Sequence, residues 1–129
     1  GSCNPLLLLA ATRGRLMELL AAELRPGEGA FADQAFMVGI MSLMPALVGL
    51  SVTEIVAPLG LTADVRDALC DGTGPLGALL RLAENSENGD IFQLTAALAE
   101  LPGLSAKALN RTQTQALQWA NSIAQEQPV

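Results

Sequence analysis

The 129-residue chain contains no histidine and no tyrosine, and only 3% of its residues are aromatic. Without histidine there is no imidazole to bind a metal, no Ser-His or Cys-His pair, and no side chain of the type that most often serves as a general base near neutral pH. The composition therefore predicts that the chain is not an enzyme and that it uses no cofactor.

Cysteine and positive charge are also scarce. Cys3 and Cys70 are too far apart, with too few potential co-ligands, to indicate a zinc site, and two cysteines do not make a disulfide framework. This usage favours a reducing cytoplasm. Seven Lys and Arg against thirteen Asp and Glu give a net charge of -6, which is the wrong sign for neutralising phosphates. Nucleic acid is therefore not an expected partner.

Apolar residues make up 50% of the sequence, enough for one domain with a core of Leu, Ala, Val and Met. We interpret residues 1–4 as a tag remnant followed by an N-cap, residues 5–127 as a single helical domain, and residues 128–129 as a tail. Residues 34–53 contain no charge and have the length of a membrane span. Pro45 near the middle and acidic rather than basic flanks favour a core helix instead, so no membrane partner is expected.

Cap and stop signals predict an all-α fold, a compact bundle of six to seven helices. The predicted helices run from Leu6 to Leu24, Gln34 to Met44, Ser51 to Ala57, Thr62 to Cys70, Pro75 to Asn88, Asp90 to Glu100 and Ser105 to Glu126. The second helix, with Asp33 as its cap, is apolar nearly all round and is expected to be central. Its small residues form one line suited to close helix packing: Ala35, Gly39, Ser42 and Ala46.

Arg13 lies in the middle of the apolar face of the first predicted helix. One interpretation is an arginine whose stem packs on leucines while its head reaches water. The other is a buried ion pair, for which Glu87 is the candidate because it shares the apolar face of the helix that starts at Pro75, whereas Glu84 is turned aside. A pair between Arg13 and Glu87 is therefore predicted, within about 4 Å.

Four stretches together resemble a known family: residues 35–49, 74–80, 87–90 and 116–120. They are similar to the C-terminal part of an HDOD domain, a degenerate member of the HD superfamily. The sequence of these stretches is close to that of bacterial proteins that join an EAL domain, a cyclic di-GMP phosphodiesterase module, to a C-terminal HDOD domain. The resemblance implies an all-helical signalling module without catalysis of its own, whose partner is an EAL domain in cis or another signalling protein.

The sequence departs from the family at three points. It has no EAL motif, and it lacks the first helices of a complete HDOD domain. The adjacent His and Asp that ligate metal in the wider HD family correspond to Ser42 and Leu43, and an earlier family His falls near Arg13. A guanidinium offers hydrogen-bond donors and no lone pair to a cation, so the resemblance predicts a noncatalytic member without a metal.

Two functions remain open on this basis. The first is a cytoplasmic protein-interaction module that regulates or scaffolds an attached EAL domain. The alternative is a sensor whose helical pocket binds an anion or nucleotide near Arg13. A closed pair with Glu87 favours the first, and an open cavity at Arg13 favours the second. Because the first helices are missing, we also expect an exposed apolar interface, and a homodimer is the simplest way to cover it. The terminal elements are expected to contribute five side chains to this interface: Leu6, Leu7, Leu8, Leu9 and Trp119.

Overall fold

The computed structural model describes residues 4–126, and within that range every regular element is a helix. The predicted all-α class is confirmed. The α-helices are α1 (Pro5–Leu24), α2 (Gly29–Met41), α3 (Met44–Val48), α4 (Val52–Val56), α5 (Ala63–Asp71), α6 (Gly74–Asn88), α7 (Ile91–Ala99) and α8 (Ala106–Glu126), and a 3₁₀ turn spans Ala57–Leu59. Cys3 and the termini interpreted as tag and tail lie outside the described residues.

Several helices begin where their capping residues predict. The Asn4 side chain accepts the N–H of Leu6, and Pro5 occupies the first helical position of α1. Ser51 and Glu54 form a reciprocal capping box at the start of α4. Asp90 caps α7 by accepting two backbone N–H groups, those of the second and third helical residues.

The predicted bounds of the second helix are wrong at both ends. Helix α2 begins at Gly29, so Asp33 lies inside it rather than capping it. The early start buries Phe31, which is 8% exposed and lies under the Arg25 guanidinium at 4.2 Å. The helix ends at Met41 because the ring of Pro45 would clash with the carbonyl four residues earlier.

Helix α1 lies antiparallel to α2, α6 and α8. Arg111 of α8 pairs with Glu23 near the end of α1, while the Trp119 ring lies 5.5 Å from Arg15. Helix α6 ends beside Arg13 and begins beside Leu24. The N-terminus of α1 and the C-termini of α2, α6 and α8 consequently share one end of the bundle.

The core is aliphatic, as the composition predicts. Its largest fully buried side chains come from several helices: Met17, Leu20, Val38, Val65, Leu76, Leu79, Leu82 and Thr112. Burying one side chain of Leu size contributes about 1.5–3 kcal/mol relative to leaving it in water. The core therefore depends on side chains supplied by α1, α2, α5, α6 and α8 together.

Close packing of α1 on α2 depends on glycine. A Cβ built on Gly39 would lie 2.6 Å from the Cα of Gly14, so the two backbones touch at this point. Ala35 is fully buried in the same contact region, and Gly39 is buried. Ala46 does not extend this line, because α2 has already ended and Ala46 is exposed in α3.

The second helix contacts α1, α3, α5 and α6, as a central position requires, but it is not buried all round. Only 28% of the most apolar 18-residue window in Gly29–Val48 is buried, and Met37 is 40% exposed. By length and composition this stretch could cross a membrane, but α2 and α3 are separate helices that meet at Ser42 and Leu43. Helix α1, which contacts α2, α6 and α8, packs against the buried side of α2.

Candidate functional site

Arg13 is a buried cation at the junction of three helices. The residue is 7% exposed although it belongs to the polar class that usually faces water. Its Nε donates to Oε2 of Glu87 at 2.9 Å, and its Nη2 donates to Oε1 of the same carboxylate at 2.6 Å. This paired geometry is the strong, orientation-specific form of the arginine–carboxylate contact. The ion pair predicted from the sequence is present and joins α1 to α6.

The third guanidinium nitrogen connects the pair to the end of α2. Nη1 of Arg13 donates to the Ser42 hydroxyl oxygen at 2.8 Å, and that hydroxyl donates in turn to the carbonyl of Gly39 at 2.7 Å. We refer to Arg13, Ser42 and Glu87 as the junction. Through the junction, one side chain of α1 fixes the C-terminal ends of both α2 and α6.

Glu84 corrects one detail of the sequence-based interpretation. It was expected to turn aside, but its Oε2 lies 3.7 Å from Nη1 of Arg13. The Glu84 side chain is 45% exposed and that of Glu87 is 25% exposed, so both carboxylates keep contact with water while the guanidinium does not. The buried guanidinium of Arg13 thus lies beside two carboxylates, Glu84 and Glu87, that remain partly hydrated.

The electrostatics of the junction keep Arg13 charged. Burial alone would lower its pKa, but the hydrogen bonds and charge of Glu87, helped by the charge of Glu84, outweigh burial and raise the pKa above its ordinary value. The guanidinium of Arg13 therefore remains protonated and positively charged near neutral pH.

Local sequence explains why these residues meet. The helix-ending effect of Pro45 places Ser42 at the C-cap of α2, where its hydroxyl accepts a hydrogen bond from Arg13. Glu87 lies in the last turn of α6, four residues after the fully buried Ala83, so it continues the face that packs on α1. Arg13 precedes Gly14, at which the backbones of α1 and α2 touch, and this close approach brings Ser42 within reach.

The junction has the chemistry of a structural contact rather than of a metal centre. Arg13 presents donors only, and the oxygens of Glu87 already accept two of them. Leu43, which the resemblance aligns with the other metal ligand of the HD family, is a buried apolar side chain. No group of three or more Cys, Asp or Glu side chains within residues 4–126 is arranged to hold a metal ion.

The residues predicted to form an interface differ in exposure. Leu7 is 53% exposed, whereas Leu6, Leu8 and Leu9 are half-buried. Trp119 is also half-buried, because its ring packs edge-on against Phe36 with 6.0 Å between centroids. Trp119 therefore contributes to intramolecular packing between α8 and α2, and Leu7 is the most open of the five.

An open cleft of about 570 Å³ lies away from Arg13. Its walls come from the end of α1, the start of α6 and the end of α7: Leu24, Arg25, Gly74, Pro75, Ala78, Arg81, Glu100 and Leu101. Inside it, Arg81 pairs with Glu100 at 2.7 Å and also contacts the carbonyl of Gly72. The cleft is thus separate from the pocket near Arg13 that the sensor hypothesis requires.

Sequence reasoning missed two features that shape the site. Gly14, the backbone contact on α1, was passed over because a single glycine inside a helical pattern indicates no particular partner. The pair between Arg81 and Glu100 was also missed, since both residues are largely polar surface positions without a distinguishing pattern. The sequence signal that could have indicated the contact at Gly14 was its position directly after Arg13, the charged residue on the apolar face of α1.

The fold and the junction define an all-α protein whose helix ends are held together by a buried ion pair. No protein-family model matches the chain, and no solved structure matches it significantly. Over 94 residues, 73% of its length, the chain is 34% identical to CdgJ of Vibrio cholerae serotype O1, a protein named as a cyclic di-GMP phosphodiesterase. The aligned part is 22% of the Vibrio protein, so the chain spans about a fifth of this relative.

Proposed function

We propose that the chain is a noncatalytic module of cyclic di-GMP signalling, of the HDOD type, which acts through contacts with a phosphodiesterase domain in the same or another protein. The observation that carries the proposal is the closed junction. At the position where a catalytic relative would need a ligand with lone pairs, a buried guanidinium stands with its donors already directed at Glu87 and Ser42.

The same closure argues against the sensor alternative. An anion that approached Arg13 would have to displace a carboxylate that makes two hydrogen bonds, and the side chain of Arg13 is only 8% exposed. Displacing such a partner would leave Glu87 without its cation and would offset the gain from the new contact. The junction therefore supports a role in holding helices rather than in binding a ligand.

Similarity to the Vibrio protein supports the signalling context. The relative is named for hydrolysis of cyclic di-GMP, and the chain aligns with only 22% of it. Since more than three quarters of the Vibrio protein lies outside the aligned segment, that protein has room for a separate catalytic domain, and the absence of histidine from this chain is consistent with a regulatory region. On this proposal, the chain alters the rate of a neighbouring phosphodiesterase without contributing a reacting group.

The test uses the Vibrio relative as host. Deleting its aligned segment should change the rate of cyclic di-GMP hydrolysis without abolishing it, and grafting this chain in place of that segment should restore the original rate. Loss of all hydrolysis on deletion, in a protein that still shows a cooperative unfolding transition, would place catalysis in the segment. An unchanged rate would contradict a regulatory role.

A further inference from the structure

One end of the bundle collects three chain segments around the junction. Gly14 touches Gly39, and α1 rises about 1.5 Å per residue, so Leu7 lies about 10 Å beyond that contact in the direction in which α2 ends. Helix α3 follows directly from Ser42, and the turn from α6 to α7 follows directly from Glu87. We call this the apical end, made of residues 4–12, 42–50 and 88–92.

The apical end carries most of the large apolar side chains that the described structure leaves exposed. Phe92 is 85% exposed and Ile91 64%, both at the start of α7. Val48 is 55% exposed, Leu7 53% and Leu50 48%. An open phenyl side chain presents about 150–250 Å², so Phe92 alone exposes well over 100 Å² of apolar surface. Such a concentration on one end is typical of an interface rather than of scattered surface residues.

Charge is nearly absent from the same segments although the protein carries a net charge of -6. Residues 4–12 and 42–50 contain no Asp, Glu, Lys or Arg, and residues 88–92 contain one charged residue, Asp90, which caps α7. Two further acidic residues lie beside these segments, Glu84 and Glu87, and both are within ion-pair distance of Arg13. The rest of the acidic surface would repel a second copy, whereas two apical ends would bring few like charges together, chiefly the Asp90 carboxylate of each copy at the helix start that it caps.

We propose that the apical end is a self-association surface that pairs two copies of this chain about a two-fold axis. An apolar end with little charge is complementary to itself, which a two-fold contact requires, since each copy presents the same patch. The five exposed side chains supply on the order of 500 Å² per copy. With the backbone between them, this approaches the roughly 800 Å² per partner of a stable interface. The junction is the positioning element, because it fixes two of the three segments against α1.

The experiment is sedimentation equilibrium of the chain at loading concentrations from micromolar to near millimolar. The wild-type protein should show a monomer–dimer equilibrium, and Phe92→Glu should raise its dissociation constant at least about tenfold, as truncation of a central aromatic does in other interfaces. Leu7→Glu should act in the same direction. The matched control is Leu117→Glu, an equally exposed leucine on the side of α8, which should leave the constant unchanged.

Two further readouts keep the result decisive. Circular dichroism and denaturant unfolding of Phe92→Glu at a concentration where every protein is monomeric should match the wild type, because an 85% exposed side chain contributes little to the core. Added salt should leave the dimer unchanged or tighten it, since salt screens repulsion between the acidic copies. A monomer at every concentration, weakening by salt, or equal disruption by Leu117→Glu would overturn the proposal and assign the apical end to another occupant.

Discussion

Removing the Glu87 carboxylate should destabilise the protein more than removing the charge of Arg13, even though the Arg13 substitution also loses the hydrogen bond to Ser42. Glu87→Ala leaves a guanidinium whose side chain is 8% exposed without its main partner. Arg13→Met keeps the apolar stem in place, and it leaves a carboxylate that is already 25% exposed and can rehydrate. The asymmetry arises from the difference in burial between the two partners.

The magnitudes follow from the geometry. Breaking a buried pair by removing one partner costs about 3–5 kcal/mol, and the Oε2 of Glu84 at 3.7 Å offsets part of it, so Glu87→Ala should cost about 3 kcal/mol. Arg13→Met should cost about 1–2 kcal/mol, since packing of the stem is retained. The double variant should cost little more than Arg13→Met alone, because neither charge then remains buried, which gives a coupling energy of about 2 kcal/mol.

Urea unfolding followed by far-ultraviolet circular dichroism measures these differences, at one protein concentration because self-association would shift the midpoint. The control cycle is Arg15→Met with Glu18→Ala, a pair at 2.7 Å on the same helix whose side chains are 33% and 28% exposed. Its coupling energy should be about 0.5 kcal/mol or less. Additive effects of the Arg13 and Glu87 substitutions would refute the account of the junction.

Two more predictions concern packing and pH. Gly39→Ala should cost about 3 kcal/mol in the same unfolding assay because the new Cβ meets the backbone of Gly14, whereas Gly29→Ala, with nothing within 4 Å, should change stability by less than about 1 kcal/mol. Hydrogen bonds from Ser51 lower the pKa of Glu54 below its ordinary 4.5, and the Arg81 side-chain hydrogen bond does so for Glu100. The stabilising contributions of Glu54 and Glu100 are therefore complete above pH 4.5 and are lost as the pH falls through the lowered pKa values. Carboxylate NMR titration measures these two pKa values directly.

Much of the fold was predictable because its signals are local. The capping box at Ser51, the Asp90 cap and the Asn4–Pro5 start each satisfy a helix end with residues adjacent in sequence. The early start of α2 was not predictable in this way, since it depends on the burial of Phe31 against other helices. The exposed side of α2 was missed because an apolar sequence indicates what can be buried, not what finds a partner.

The junction was predictable in part for a physical reason. A charge in the middle of an apolar helix face needs an opposite charge, and Glu87 was a carboxylate on an apolar face of another helix. The contributions of Ser42 and Glu84 depend on side-chain geometry at helix ends, which periodicity does not encode. The apical end likewise required the antiparallel arrangement of α1 with α2 and α6, which only the fold supplies.

The central claim is that this chain contributes no chemistry of its own to cyclic di-GMP turnover. The most direct test is the initial rate of cyclic di-GMP hydrolysis by the isolated chain supplied with magnesium and then with manganese, alongside metal analysis of the same sample. The account predicts a rate equal to that of buffer and no stoichiometric metal. Turnover proportional to protein concentration, accompanied by one bound divalent metal per chain, would contradict it.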